Sequence, residues 1–386
     1  MGTEGFIRNV VYYDDAHKIQ AMGDNSGNLV FQRAVSLLFD NPLIHLGLAG
    51  VPYRSFGSWS DCKYLVFPAA NHLRENADWS KLSEFLSLQK LPLIVLGLGV
   101  QGKHGESEEE TIRSIVSDEN ILQFVSVIKE KAILITVRGE LTKKICAILG
   151  LNGVISLGCP SITLNSNVKL GNVIDRKIKS ISNVGRFALT AIGPFSVKGD
   201  HKKLSLERWL LAQLFQRDGL YIQQSDGVDM FKAFNRRHPD KGSSFYSELP
   251  NLLAPNINKS IFWDFLRKKG RFFTDFRDWM FYMKDMDLCI GQRFHGNVVG
   301  MISEIPTVFL SFDKRTDELI RRCKLPTLDA DTITSGRSIE DCLKNVIFCP
   351  DDFDANRMDI AKRYVNVFRG LDLKPSRSLL HLANEL

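Results

Sequence analysis

Short apolar runs alternate with helix-length amphipathic stretches along most of this chain, and that alternation limits the folds open to it. Residues 43–48, 64–67, 93–96, 133–137 and 154–157 are nearly continuous apolar segments of strand length. Between them, residues 29–39, 79–88, 108–129 and 141–149 show helical spacing with few breakers. A strand that is apolar on both faces must be covered on both faces, which is the condition of a parallel sheet between helices. The chain therefore reads as α/β. At 386 residues it exceeds the size at which a single core usually keeps growing, so two domains are expected. A polar stretch over 165–180 interrupts the pattern. A second alternation follows, with strands expected at 187–192, 220–223, 287–290 and 307–312 and helices at 204–217, 275–284 and 297–303. The expected division is 1–165, then 181–350, then a helical tail over 351–386. Both doubly wound domains would present their strand ends to a shared cleft, where ligands of such sheets bind. Residues 231–271 are less regular and would suit an insertion facing an acceptor.

Composition narrows the function classes. A net charge of +6 suits anionic substrates but is far from a nucleic-acid footprint, so no nucleic-acid partner is expected. The seven cysteines include no Cys-x-x-Cys pair, which argues for reduced thiols in a cytoplasm and against a zinc site or disulfide framework. The N-terminus lacks the pattern of a secretory signal. No apolar run reaches spanning length, so any contact with a membrane would be peripheral, at its inner face. Residues 259–283 mix Phe262, Trp263, Phe265, Phe272, Phe273, Phe276 and Trp279 with Arg267, Lys268, Lys269 and Arg271. Such a segment can lie on a bilayer surface or form a core. The core reading is favoured for 276–283, and both stay open for 261–273.

The stretch Gly291-Gln292-Arg293-Phe294-His295-Gly296-Asn297 carries the sharpest chemistry. It follows a short apolar segment and is flanked by two glycines, so the chain can turn sharply there. Arg293 offers a planar fork of donors for a carboxylate or phosphate, and His295 can carry a proton near neutral pH. Arg138 also follows an expected strand, and the alternative for it is a solvated ion pair with Glu140. Gly97-Leu98-Gly99 ends a strand but lacks the third glycine and the later acidic residue of a dinucleotide site. It is either a tight turn or a set of N–H groups directed at an anion. The turn at Asn25, Gly27 and Asn28 has the same two readings. Asn71 and His72 lie just past a strand on the same rim, and a ligand role for either stays open. His104 sits in a polar loop where it could meet an acceptor. Ser161 ends the last strand of the first half and lacks the Gly-x-Ser-x-Gly setting of a hydrolase nucleophile.

Four of these segments, in this order, resemble the polysaccharide pyruvyl transferase family: Asn25–Asn28, Gly97–Gln101, Thr136–Glu140 running on to Gly158–Ser161, and Arg293–Asn297 with the Ile305-Pro306 strand after it. Asn28 departs from the pattern, since an aspartate is more usual there, which puts an acid/base or cation-binding role for it in doubt. The resemblance implies two Rossmann-like domains facing a cleft, as in glycosyltransferase-B enzymes, with the C-terminal helix packing back across the first. It implies transfer of the pyruvyl unit of phosphoenolpyruvate to the hydroxyls of a sugar, free or lipid-linked, as a ketal in exopolysaccharide or capsule biosynthesis. His295, Arg293 and Arg138 would be catalytic. Asn25, Gly27, Asn28, Asn71, His72, Gly97, Gly99, Gln101, His104, Ser161, Phe294, Gly296 and Asn297 would line the substrates, with no metal and no cofactor beyond the donor. A nucleotide-sugar glycosyltransferase of the same architecture and a non-catalytic sugar-binding relative are the other classes.

Overall fold

Leu93–Leu98 is buried at every position, and it forms the centre of a four-stranded parallel sheet. The strands are β1 (Leu65–Pro68), β2 (Leu73–Arg74), β3 (Leu93–Leu98), β4 (Val100–Gln101), β5 (Ala132–Val137) and β6 (Ile155–Ser156). The sheet order is β1-β3-β5-β6, and β2 and β4 make a separate two-stranded ribbon. A second, six-stranded sheet contains β7 (Arg186–Thr190), β8 (Asp218–Ile222), β9 (Gly270–Arg271), β10 (Leu288–Gly291), β11 (Thr307–Ser311) and β12 (Thr327–Asp329). Its order is β12-β11-β10-β7-β8-β9, and every neighbouring pair is parallel. This computed structural model describes residues 4–7, 10–46, 61–102, 106–237, 239–311, 314–333 and 337–386. The α/β class with parallel sheets is the one expected from the apolar runs.

Several elements differ from expectation for identifiable reasons. Residues 43–46 form no strand, and 47–48 lie outside the described residues. Leu43 and Ile44 are exposed, so this apolar run is not a sheet centre. The expected helix over 108–129 is two helices, Glu108–Val116 and Glu119–Lys131. Asp118 caps the second by accepting from the Ile121 N–H, and Ser107 and Glu110 form a capping box on the first, so each half has its own start signal. The polar stretch between the sheets is built around a helix, Leu170–Ser180, whose Leu170, Ile174 and Ile178 are buried. Asp354 holds its first turn by accepting from the Gly171 N–H at 2.7 Å. Beside it the fully buried Arg357 donates to the carbonyls of Ile162 and Asn167 at 3.0 and 2.9 Å. Residues 231–271 are no irregular insertion. They supply helices Ser244–Leu253 and Lys259–Lys269, and Phe231, Phe234, Phe262, Trp263, Phe265, Phe272 and Phe273 are all buried. Those rings serve the core and leave no aromatic face there for a bilayer. No helix among the described residues is long and apolar enough to cross a membrane.

The core explains how the sheets are held together. Ile94, Leu96 and Leu134, on one face of the first sheet, belong to the same apolar cluster as Leu189, Ile290 and Val308 of the second. Helix Gly27–Ser36, the turn Pro160–Thr163 and the long helix Pro350–Gly370 fill the space between them. The opposite face of the first sheet, with Val95, Leu98 and Ile135, packs into a separate cluster. Each fully buried aliphatic side chain contributes about 1.5–3 kcal/mol, so the seam between the sheets is a packed, apolar joint below its polar rim. The tail reaches the start of the chain: Tyr64 donates to the Leu371 carbonyl at 2.7 Å, and the Phe39 and Phe368 rings stand 4.5 Å apart.

Candidate active site

On the first sheet the site begins where β5 ends. The Arg138 N–H bonds the Leu98 carbonyl at 2.9 Å, which carries the strand pairing one residue past Val137 and turns the side chain back over β3. Its Nε donates to the Gly97 carbonyl at 2.9 Å and its Nη1 to Asn71 Oδ1 at 3.1 Å. The guanidinium lies 5.4 Å over the Phe31 ring, and only 3% of the residue is exposed. Asn71 in turn donates to Gln101 Oε1 at 3.1 Å. A buried arginine fixed by two acceptors and an aromatic face is held in one orientation. Gly97 has φ +76°, and a Cβ there would lie 2.9 Å from Pro160, so a side chain would be both strained and crowded. Its N–H donates to Thr136 Oγ1 and that of Gly99 to the Ala70 carbonyl, at 2.9 and 2.8 Å. These two N–H groups are spent on the neighbouring strand β5 and the loop after β1 and do not form an anion cradle.

His72 is part of the scaffold. Its Nδ1 accepts from the Ala70 N–H at 2.9 Å, and its ring lies against Phe67, Trp79 and Phe124 at centroid distances of 4.9, 4.6 and 5.8 Å. Burial, with help from the charges of Arg138 and Arg74, pushes its pKa down to about 3. It is a neutral imidazole at physiological pH and a poor proton donor. His104 lies outside the described residues.

On the second sheet the site begins where β10 ends. Gly291 has φ +154°, and a Cβ there would come within 2.3 Å of Thr190 Oγ1 on β7, so this close strand contact needs glycine. The following helix runs Phe294–Ile302 with Arg293 as its N-cap. It starts three residues earlier than the sequence suggested, and His295 therefore sits in its first turn. Arg293 Nη2 donates to Ser225 Oγ, and its Nε donates to the Ala191 carbonyl at 3.4 Å. His295 Nε2 lies 3.4 Å from Cys159 Sγ, and the His295 and Phe31 rings are 5.6 Å apart.

Other sequence candidates prove to be architectural. Asn297 is 1% exposed. It accepts from Thr190 Oγ1 at 2.7 Å and donates to the Gly291 carbonyl at 2.8 Å, latching the helix to β7 and β10. Phe294 is buried against Phe309. Ser161 is fully buried and donates to Cys159 Sγ at 3.0 Å, the thiol that lies beside His295. Gly296 is packed over Thr190 and Gln224, where a Cβ would lie 2.7 Å from each. Asn28 donates to the Met22 and Gly23 carbonyls at 2.8 and 3.2 Å and closes its own turn. Asn25 accepts from the Gly27 N–H at 2.8 Å. That turn docks on the second sheet through Ser26, whose N–H bonds the Gln224 carbonyl at 2.9 Å. A Cβ on Gly27 would lie 2.8 Å from Gln224 Oε1 and 3.2 Å from the His295 Cβ.

Phe31, Cys159 and Gln224 are the members that sequence reasoning missed. Phe31 occupied an ordinary apolar position of a helix, and Gln224 followed a strand with no motif around it. Cys159, between Gly158 and Pro160 at a strand end, had the only usable signal. A cavity of about 390 Å³ lined by Val35, Phe39, Leu46 and Tyr64 and another of about 560 Å³ lined by Lys143, Arg322 and Arg363 contain neither Arg138 nor His295. Phe31 touches both residues away from these two cavities.

Two parallel sheets whose strand ends bring a buried arginine and a histidine against one aromatic ring define an α/β protein with a polar site at the seam of its sheets. The chain belongs to a known family: the family model for polysaccharide pyruvyl transferase matches residues 22–314, which include every segment of this site. No curated protein matches the chain.

Proposed function

We propose that the protein transfers the pyruvyl unit of phosphoenolpyruvate to two hydroxyls of a sugar acceptor, forming a pyruvate ketal in the synthesis of a polysaccharide or cell-surface glycan. The observation that carries this reading is the shared contact of Phe31 with Arg138 and His295. It brings a charge fixed by the first sheet to a proton carrier fixed by the second. Phosphoenolpyruvate is compact and carries a carboxylate and a phosphate, which Arg138 and Arg293 would hold from opposite sides. We read the two sheets as two Rossmann-like domains, 1–165 and 181–350, in a glycosyltransferase-B-like arrangement with 351–386 as helices spanning them.

The enol double bond becomes electrophilic when its methylene carbon gains a proton, and His295 is the group placed to donate it. One acceptor hydroxyl then attacks the resulting oxocarbenium carbon and releases its proton. Loss of inorganic phosphate regenerates that electrophilic carbon, and the second hydroxyl closes the ketal. The acceptor gains one pyruvate and loses one water. Incubation with phosphoenolpyruvate and candidate glycans, followed by phosphate assay and mass spectrometry, tests the reading. His295→Gln should lower turnover by ~10²–10⁴-fold while leaving donor affinity nearly unchanged. Release of a nucleotide from a nucleotide sugar, with no phosphate from phosphoenolpyruvate, would overturn it in favour of a glycosyltransferase.

A further inference from the structure

Behind the Arg293 turn a carboxylate lies wholly inside the protein. Glu207, on helix His201–Phe215, is 0% exposed. Its Oε1 accepts from the Tyr221 hydroxyl at 2.9 Å and its Oε2 from Gln292 Nε2 at 2.8 Å. The backbone of Ile192 also favours the charged form of this carboxyl. Tyr221 is on β8, Ile192 follows β7, and Gln292 follows β10. These three strands are neighbours in the order β10-β7-β8. One side chain from the helix layer therefore ties together the carboxyl ends of β8 and β10, the strands on either side of β7.

The Gln292 donor and the neighbouring Ile192 border the contacts of Arg293. Gln292 is its chain neighbour, and Ile192 follows Ala191, whose carbonyl accepts from Arg293 Nε. The Ile192 carbonyl is held as well, by Gln223 Nε2 at 2.8 Å. Burying a carboxylate is costly, and an apolar side chain of similar size would often serve stability as well or better. Burial pushes the Glu207 pKa up to about 7 against the pull of its hydrogen bonds and the Arg293 charge. What an apolar residue cannot supply is a pair of acceptor oxygens able to hold donors from two strand ends in one geometry.

We propose that Glu207 is the positioning residue for Arg293, setting the place of its guanidinium at the seam by tying β8 and β10, the neighbours of β7, to the helix behind them. The consequence for donor binding rests on the reading of Arg293 as a phosphoenolpyruvate contact, whereas the tie itself does not.

The test uses the full-length protein and Glu207→Gln, which keeps size and shape but replaces one acceptor with a donor. In ligand-free protein, amide hydrogen exchange over 288–298 should speed up by about tenfold, with residues 121–128 of the first sheet's helix layer unaffected. Phosphoenolpyruvate binding should weaken by about five- to tenfold, with turnover at saturation within about twofold of wild type. In an Arg293→Ala background the same substitution should weaken binding no further, because its effect passes through Arg293. Unchanged exchange over 288–298 in Glu207→Gln overturns the proposal. So does an equal loss of affinity with and without Arg293. If Arg293→Ala binds phosphoenolpyruvate as wild type does, the donor reading of Arg293 fails, and the exchange result decides the tie by itself. Should Glu207→Gln fold poorly, Tyr221→Phe removes one of the two bonds and should give a smaller change in the same segment.

Discussion

Arg138→Lys is the substitution that most directly probes the seam, because it preserves charge and removes the fork. In the native site Nε and Nη1 serve two separate acceptors, the Gly97 carbonyl at 2.9 Å and Asn71 Oδ1 at 3.1 Å. A lysine ammonium is a single point on a flexible stem and cannot meet both while lying flat over Phe31. One buried acceptor is then left unpaired, at about 1–3 kcal/mol, and up to ~2 kcal/mol of cation–π contact weakens. Stability should therefore fall by roughly 1–3 kcal/mol. If the remaining donors of the fork hold phosphoenolpyruvate, losing their fixed direction removes roughly 1.5–3 kcal/mol of charge-assisted bonding, or about ten- to a hundredfold in affinity. Calorimetric titration of folded protein measures the second effect, and thermal unfolding without ligand measures the first. Asn71→Ala is the control, since it frees one arm of the guanidinium without moving its charge, and should cost less affinity than Arg138→Lys. A folded Arg138→Lys variant that binds phosphoenolpyruvate within about twofold of wild type would refute the clamp.

Acid stability should depend on His72. Its folded pKa of about 3 lies below the ordinary 6.5, so the neutral ring contributes stability above pH 6.5, and this is lost as the pH falls toward 3. A gap of that size corresponds to at most roughly 5 kcal/mol, and the residual exposure of this half-buried residue lowers the realised value. His72→Gln should flatten the stability profile between those limits, and an unchanged acid limb would count against the assignment. Gly27→Ala would place a methyl group 2.8 Å from Gln224 Oε1 and 3.2 Å from the His295 Cβ. Displacing the histidine by even part of an ångström should lower turnover on the order of tenfold to a hundredfold. Full activity in this variant would show that the turn yields without moving His295.

What the chain determined by itself is its class and the positions of its polar strand ends. The all-apolar run over 93–98 can be satisfied only between two covered faces, and Arg138 and Arg293 each follow such a strand because a charge cannot continue it. Those are local properties, legible residue by residue. The tertiary structure decided which polar side chains remain for chemistry. Asn297 looked like a ligand group until Thr190, more than a hundred positions earlier, took its oxygen. His72 was open to a ligand role until Trp79 and Phe124 closed around it. The aromatics of 261–273 looked fit for a bilayer, and the helix packing turned them inward. Conversely, Phe31 and Glu207 carried no motif at all. Hydrogen-bond partners and burial are set by contacts between segments far apart in sequence, so the same asparagine, histidine or glutamate can be spent on the scaffold or left at the seam, and only the packed fold distinguishes the two.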